Sequence, residues 1–122
     1  MCDKFSKKSS PILYQLFDVI VQRRQNLPPD SYTTSLFLGG IEKIITKFSE
    51  ESKELAEAAT EISTGTNGEK EKKHITHEAA DLMYHFLVLL ARCAVTLDDV
   101  EQELAKRFGV SGLTEKATRN NH

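Results

Sequence analysis

Apolar residues recur along this chain with a helical period. Ile12, Leu13, Leu16, Phe17, Ile20 and Val21 share one face of a stretch opened by Pro11, with Ser9 or Ser10 as its cap. Arg23 and Arg24 close that stretch, where cations suit a helix C-terminus, and Pro28-Pro29 end it. Residues Asp30 to Leu38 read as a short helix capped by Asp30 or Ser31, which Gly39-Gly40 interrupt. A longer stripe then runs through Ile41, Ile44, Ile45, Phe48, Leu55, Ala59 and Ile62. It stops at the loop-like Ser63-Thr-Gly-Thr-Asn-Gly68. Thr66 and Glu69 have capping-box spacing and open a helix predicted over Glu69–Val95. Its first turns carry the charge run Glu69–Lys73, a solvated face. From Ala79 onward it is apolar on nearly every side, which calls for cover on every side: a central helix or an interface between chains. Thr96 and Asp99 repeat the capping-box spacing before a helix through Phe108, with Gly109 as its C-cap. No strand alternation and no internal repeat interrupt this pattern. The expectation is an all-α domain of four to five helices over residues 11–122, behind a mobile leader at 1–10.

Composition narrows the partners. A chain of 122 residues can bury its own core without disulfide or zinc staples. Its 18 acidic and 16 basic residues lack the basic footprint of a nucleic-acid binder, and its apolar content is that of a folded domain. No nucleic-acid partner is expected. Cys2 and Cys93 lie far apart without metal-ligand spacing; Cys93, inside an apolar run, reads as a buried free thiol, which suits the cytoplasm. The N-terminus lacks the apolar core of a secretory signal, and the run Phe86–Ala91 is too short to cross a bilayer, so no membrane is expected.

The informative residues are carboxylates. At 100° per residue, with Ile44 at zero, Glu51 falls at about -20°, inside the apolar stripe, and Glu54 at about -80°, on its edge. On the next helix, with Ile75 at zero, Glu78 falls at about -60° and Asp81 at about -120°, with His85 between them. Each helix therefore turns an i, i+3 acid pair toward the core edge, where unpaired carboxylates are expensive. A divalent cation compensates such a set. Hard oxygen donors suit Mg²⁺, held by Glu51, Glu54, Glu78 and Asp81. The pattern departs from a di-iron bundle, which wants Glu-x-x-His. His74 and His77 fall in the charged entry and read as surface residues; His85 reads as structural, bonded to Asp81 or to a neighbouring helix.

Glu50-Glu-Ser-Lys-Glu54 followed by Glu78-Ala-Ala-Asp81 resembles the EExxE…ExxD signature of the MazG-like nucleotide pyrophosphohydrolases. Within that superfamily the phosphoribosyl-ATP pyrophosphohydrolase family is the one most resembled. Leu13-Tyr14 through Arg23-Arg24, Ser31-Tyr-Thr33, Lys47, Leu82-Met-Tyr-His85, Leu97-Asp-Asp-Val100 and the tail Ser111–Arg119 carry this likeness. It departs at Phe48-Ser49, at Ser52, where the family usually has alanine, and in the polar stretch 63–73. The resemblance implies an all-α fold, a homodimer and Mg²⁺-dependent hydrolysis. The bond cut is the α–β phosphoanhydride of phosphoribosyl-ATP, the second step of histidine biosynthesis, giving phosphoribosyl-AMP and pyrophosphate.

In that chemistry Glu50, off the Glu51/Glu54 pair, is the candidate base, so Glu50, Glu51 and Glu54 form the catalytic set. Lys47, one turn before Glu51, is the candidate phosphate ligand. Arg23, Arg24, Lys116 and Arg119 are further candidates by family position, and Tyr32 stacks on base or ribose or simply packs. Two other readings use the same residues: a house-cleaning (d)NTP pyrophosphohydrolase, and a non-enzymatic helical module whose acids are a solvated face.

Overall fold

The computed structural model describes residues 11–63 and 68–109, in five helices: α1 Pro11–Asn26, α2 Tyr32–Leu38, α3 Gly40–Ser63, α4 Glu69–Arg92 and α5 Leu97–Phe108. The described residues contain no strand. The all-α expectation of four to five helices therefore holds. The leader 1–10 and the tail beyond Gly109, with Lys116 and Arg119, lie outside the described residues, as does Thr66.

Local chemistry explains most boundaries. Helix α1 stops at Asn26, ahead of Leu27 in the left-handed region (φ 48°) and the two prolines. Of the two candidate caps for α2 it is Ser31, whose Oγ accepts from the Thr34 N–H at 3.2 Å. Gly40 (φ 87°) takes a conformation other residues resist, so the chain can start α3 directly after α2. The Thr96/Asp99 capping box on α5 is present in both directions, at 2.9 and 3.0 Å, and Gly109 is the C-cap.

Helices α3 and α4 are the frame, packed along each other's length, while α1 lies on α4 and the short α2 joins α1 to α3. Glu61 meets His74 at one end of the α3/α4 pair and Phe48 meets Phe86 at the other, so the two helices run antiparallel. The core gathers Phe17, Ile20, Leu36, Ile44, Leu87, Val88, Ala91 and Leu97. Ile20, Leu36, Ile44, Leu87 and Val88 are fully buried, and each such side chain contributes about 1.5–3 kcal/mol by leaving water.

Packing corrects three expectations. On α3 the buried face is Ile44, Glu51 and Ala58, seven residues apart, while Ile45 and Ala59 are exposed. The stripe is turned toward α4 relative to the sequence reading, because α4 covers one flank only. On α4 the buried residues are His85, Leu87, Val88 and Ala91, with Leu82 and Phe86 only partly covered, and Met83 and Ala80 exposed. The described residues thus do not enclose the helix on every side. Third, α4 ends at Arg92 rather than Val95. Val95 N–H donates to Leu90 C=O at 3.0 Å and Ala94 N–H to Ala91 C=O at 3.1 Å, around Ala94 at φ 59°. This is a Schellman end built on alanine where glycine is usual. It swings Cys93 outward, so the thiol is exposed, not buried. No single described helix is long and apolar enough to cross a membrane.

Candidate active site

Where α3 and α4 face each other, carboxylate oxygens of Glu51, Glu54 and Glu78 lie within 4.8 Å of one another. Glu51 comes from the middle of the buried face, between Ile44 and Ala58, and is 7% exposed. Glu54 is exposed one turn along, and the Glu78 side chain reaches across from α4 with 12% exposure. Two oxygens in this cluster, Glu51 Oε1 and Glu78 Oε1, are buried without a hydrogen-bond partner. Buried polar atoms are nearly always paired, so two orphans of the same sign on facing helices need a counter-charge. Burial, reinforced by Glu54 and then Asp81, pushes the Glu51 carboxyl above its ordinary value of 4.5. Three oxygen donors converging on one point, two of them desolvated, fit a hard divalent cation such as Mg²⁺. The solvated-face reading fails here, because Glu51 and Glu78 are not solvated.

Asp81 stands apart from the other three predicted ligands. Its side chain is 43% exposed, 3.4 Å from His77 Nε2, and it is absent from the 4.8 Å cluster. Its charge still reaches Glu51. One further turn along, its backbone carbonyl accepts from His85 Nδ1 at 2.9 Å. His85 thus bonds to the main chain of Asp81 rather than to its carboxylate, and it is 5% exposed.

The predicted cation set divides. Lys47 Nζ lies 3.2 Å from Glu50 and 4.0 Å from Glu51, at the edge of the cluster. Glu50 above all holds the Lys47 ammonium above its usual range. Arg23 donates to Ser31 Oγ at 3.2 Å, beside Tyr32. Arg24 instead donates to the Ala91 carbonyl at the C-terminal end of α4, which places it with the helix terminus. Ala91 is 13 residues past Glu78, roughly 20 Å along the axis. Tyr32 is 52% exposed, and its hydroxyl lies 3.2 Å from His85 Nε2. Glu50 is half-exposed beside Lys47.

His74 and His85 make contacts whose partners across helices the sequence does not name. His74 spans the helices, with Nδ1 3.1 Å from Glu61 and Nε2 3.4 Å from Glu78. His85 ties Tyr32 to α4. The first was signalled by the i, i+4 spacing of His74 and Glu78, but the second joins elements 53 residues apart and leaves no local mark.

Sequence similarity to known proteins spans most of the chain. The sequence profile of a family described as Phosphoribosyl-ATP pyrophosphohydrolase matches residues 13–108. The tail that also carried the resemblance lies beyond that match. A phosphoribosyl-ATP pyrophosphatase of Geobacter sulfurreducens is 45% identical over 109 residues, 89% of this chain and 94% of the relative. One of Rhodopirellula baltica is 45% identical over 107 residues, covering 88% and 85%. One of Methylococcus capsulatus is 42% identical over 108 residues, covering 88% and 95%.

Proposed function

Because the chain belongs to the phosphoribosyl-ATP pyrophosphohydrolase family, we propose that its acid cluster is where it hydrolyses phosphoribosyl-ATP, releasing phosphoribosyl-AMP and pyrophosphate for histidine biosynthesis. The observation that carries the site assignment is the pair of orphaned, buried oxygens on Glu51 and Glu78. With Glu54, and with Asp81 at the edge, they would hold Mg²⁺. When bound, that ion supplies neutralisation of phosphate charge and a lowered pKa for water.

The chain's own residues supply the rest. Lys47 offers a fixed positive charge beside the cluster, where a phosphate displaces Glu50 as its partner. Glu50, solvent-reachable and outside the tight cluster, takes the proton of the attacking water. The water oxygen bonds to a phosphorus of the α–β linkage, and the bridging P–O bond on that phosphorus breaks. Arg23 and Tyr32 stand together on the α2 side to meet the rest of the nucleotide. Lys116 and Arg119 belong to this reading through family position alone. Arg24 serves the α4 terminus instead. A homodimer is part of the same reading, supported by large apolar side chains that the described residues leave exposed, Met83, Leu104 and Phe108 among them. So is a cytoplasmic setting with no nucleic-acid or membrane partner.

The test is pyrophosphate release from phosphoribosyl-ATP, measured beside ATP, dCTP and dUTP. Preference for phosphoribosyl-ATP is the expected result. Equal or faster turnover of an ordinary nucleoside triphosphate would overturn the substrate assignment in favour of a house-cleaning enzyme.

A further inference from the structure

Helix α2 has only seven residues, too few to hold its shape alone, so its position depends on what it grips. It grips α4 through two successive side chains. Thr33 Oγ1 pairs with the Tyr84 hydroxyl at 2.5 Å, and the Tyr32 hydroxyl pairs with His85 Nε2 at 3.2 Å. The His85 ring is anchored on its other side, where Nδ1 faces the Asp81 carbonyl, which can only accept. Nδ1 therefore carries the hydrogen in the neutral ring, and Nε2 is left as an acceptor. The Tyr32 O–H must then donate to it. Tyr84 backs the Tyr32 ring at a centroid distance of 6.1 Å and 28° between planes, and His85 meets it edge-on at 83°. The Tyr32 ring is thus fixed by its hydroxyl and by one neighbour, yet half of the residue stays open to solvent. His85 stands seven residues beyond Glu78 on α4, two turns along and only about 20° round the helix, so the Tyr32 ring it holds stands on the face of α4 that carries the acid cluster.

We propose that His85 is a positioning residue for substrate: through Nε2 it holds Tyr32 as an aromatic wall on which the nucleobase stacks while the phosphates lie on the acid cluster. The inference rests on the nucleotide-hydrolase reading above and adds a residue that touches neither phosphate nor base. Stacking tolerates small errors of direction but not a free ring, so the hydrogen bond acts on substrate affinity rather than on the chemical step.

Three substitutions separate the parts. Tyr32→Leu removes the wall and is expected to raise KM about 10-fold or more. Tyr32→Phe keeps the ring but frees it, and His85→Asn keeps a donor for the Asp81 carbonyl but loses the acceptor for Tyr32. Each is expected to raise KM about 3- to 5-fold with kcat little changed, and the two together no more than either alone. His85→Gln, which restores an acceptor near the Nε2 position, is expected to return KM toward the wild-type value. Tyr32 is half-exposed, so Tyr32→Phe keeps the test alive if a change at buried His85 unfolds the chain.

A second readout does not depend on turnover. The chain has no tryptophan and three tyrosines, so its emission is tyrosine emission. AMP titrated in with Mg²⁺ should quench it, less readily in His85→Asn and not at all in Tyr32→Phe. Nitrogen-15 NMR of the wild type should show His85 as the Nδ1–H tautomer. Wild-type KM in both Tyr32→Phe and His85→Asn, additive effects in the double variant, or equal AMP quenching in Tyr32→Phe would overturn the proposal. So would a fall in kcat alone, which would place His85 with the acids. A wild-type protein that AMP quenches but that releases no pyrophosphate from phosphoribosyl-ATP would overturn the functional reading and leave the wall standing.

Discussion

Glu51 and Asp99 carry the same functional group and settle its charge in opposite ways. Asp99 opens α5. It accepts the Thr96 N–H, and that bond above all holds its carboxyl below the ordinary value of 3.8. Four consecutive residues complete the arrangement, and it reads directly from sequence. Glu51 lies at the centre of a buried helix face with one oxygen unpaired, and burial pushes its carboxyl the other way. Nothing within four residues satisfies it; Lys47 comes no closer than 4.0 Å. A carboxylate that caps a helix is finished when the chain folds. One set into an apolar stripe keeps an unpaired oxygen after the chain folds, and the proposed cation is what would pair it. That difference is what sets the cap apart from the proposed site.

The largest expected effect tests the functional side. Glu51→Gln should lower pyrophosphate release about 100-fold or more, since the lost interaction bears on the reacting phosphate. Far-ultraviolet circular dichroism should show the helices intact. The same substitution should raise the metal-free melting temperature, because it removes a buried charge. An equally active or less stable variant would break the contrast with Asp99.

The next effect is pH-dependent, and its sign follows from the direction of the shift. A carboxyl raised in the folded state binds its proton more tightly there than in the unfolded chain. Its burden on stability is therefore absent at pH below its ordinary 4.5 and grows as pH rises through the folded-state value. The melting-temperature gain of Glu51→Gln over wild type should vanish near pH 4 and be largest at neutral pH. Added Mg²⁺ should raise the wild-type melting temperature at neutral pH, lose that effect on acidification, and do little for Glu51→Gln. EDTA should stop turnover and excess Mg²⁺ restore it. Asp99 runs the other way: its contribution is present above 3.8 and lost as pH falls through its lowered folded value.

The structural side is tested by Thr96→Ala. Loss of this cap should cost about 1 kcal/mol and lower the melting temperature by a few degrees, leaving kcat and Mg²⁺ response unchanged. The smallest effect belongs to a third kind of pairing. Lys53 and Glu57 lie 4.0 Å apart on the outer face of α3, both largely exposed. Lys53→Ala should change stability by less than about 0.5 kcal/mol in a denaturant titration and activity not at all.

Sequence carried the elements whose cause is local. The caps at Ser31 and Thr96, the stop before Pro28 and the helical periods of α1 to α5 all follow from a few neighbouring residues. It also placed Glu51 in the apolar stripe, which was the decisive clue to the cluster. What it lost depends on partners distant in the chain. A helical wheel centred on Ile44 could not tell that α4 covers the Ala58 flank rather than the Ala59 flank. The end of α4 is not legible in sequence because Ala94 stands where glycine normally signals the turn, and the exposure of Cys93 hangs on that same turn. Spacing alone does not decide which acids converge: Glu54 follows Glu51 by three residues and joins the cluster, whereas Asp81 follows Glu78 by three and stands at its edge, beside His77. Tyr32 and His85 meet only through the docking of α2.

The seven-residue spacing of Ile44, Glu51 and Ala58 has a genetic consequence. It makes α3 a reading frame for the acids as well as a support. Insertion of one residue between Ile44 and Glu51 turns every later side chain by about 100° and carries Glu51 and Glu54 out of register with Glu78. Insertion of seven turns them by only about 20°, though it shifts them two turns along the axis. Within this helix, substitutions that preserve the frame should therefore be tolerated more widely than any single-residue insertion or deletion, however conservative the residue gained or lost.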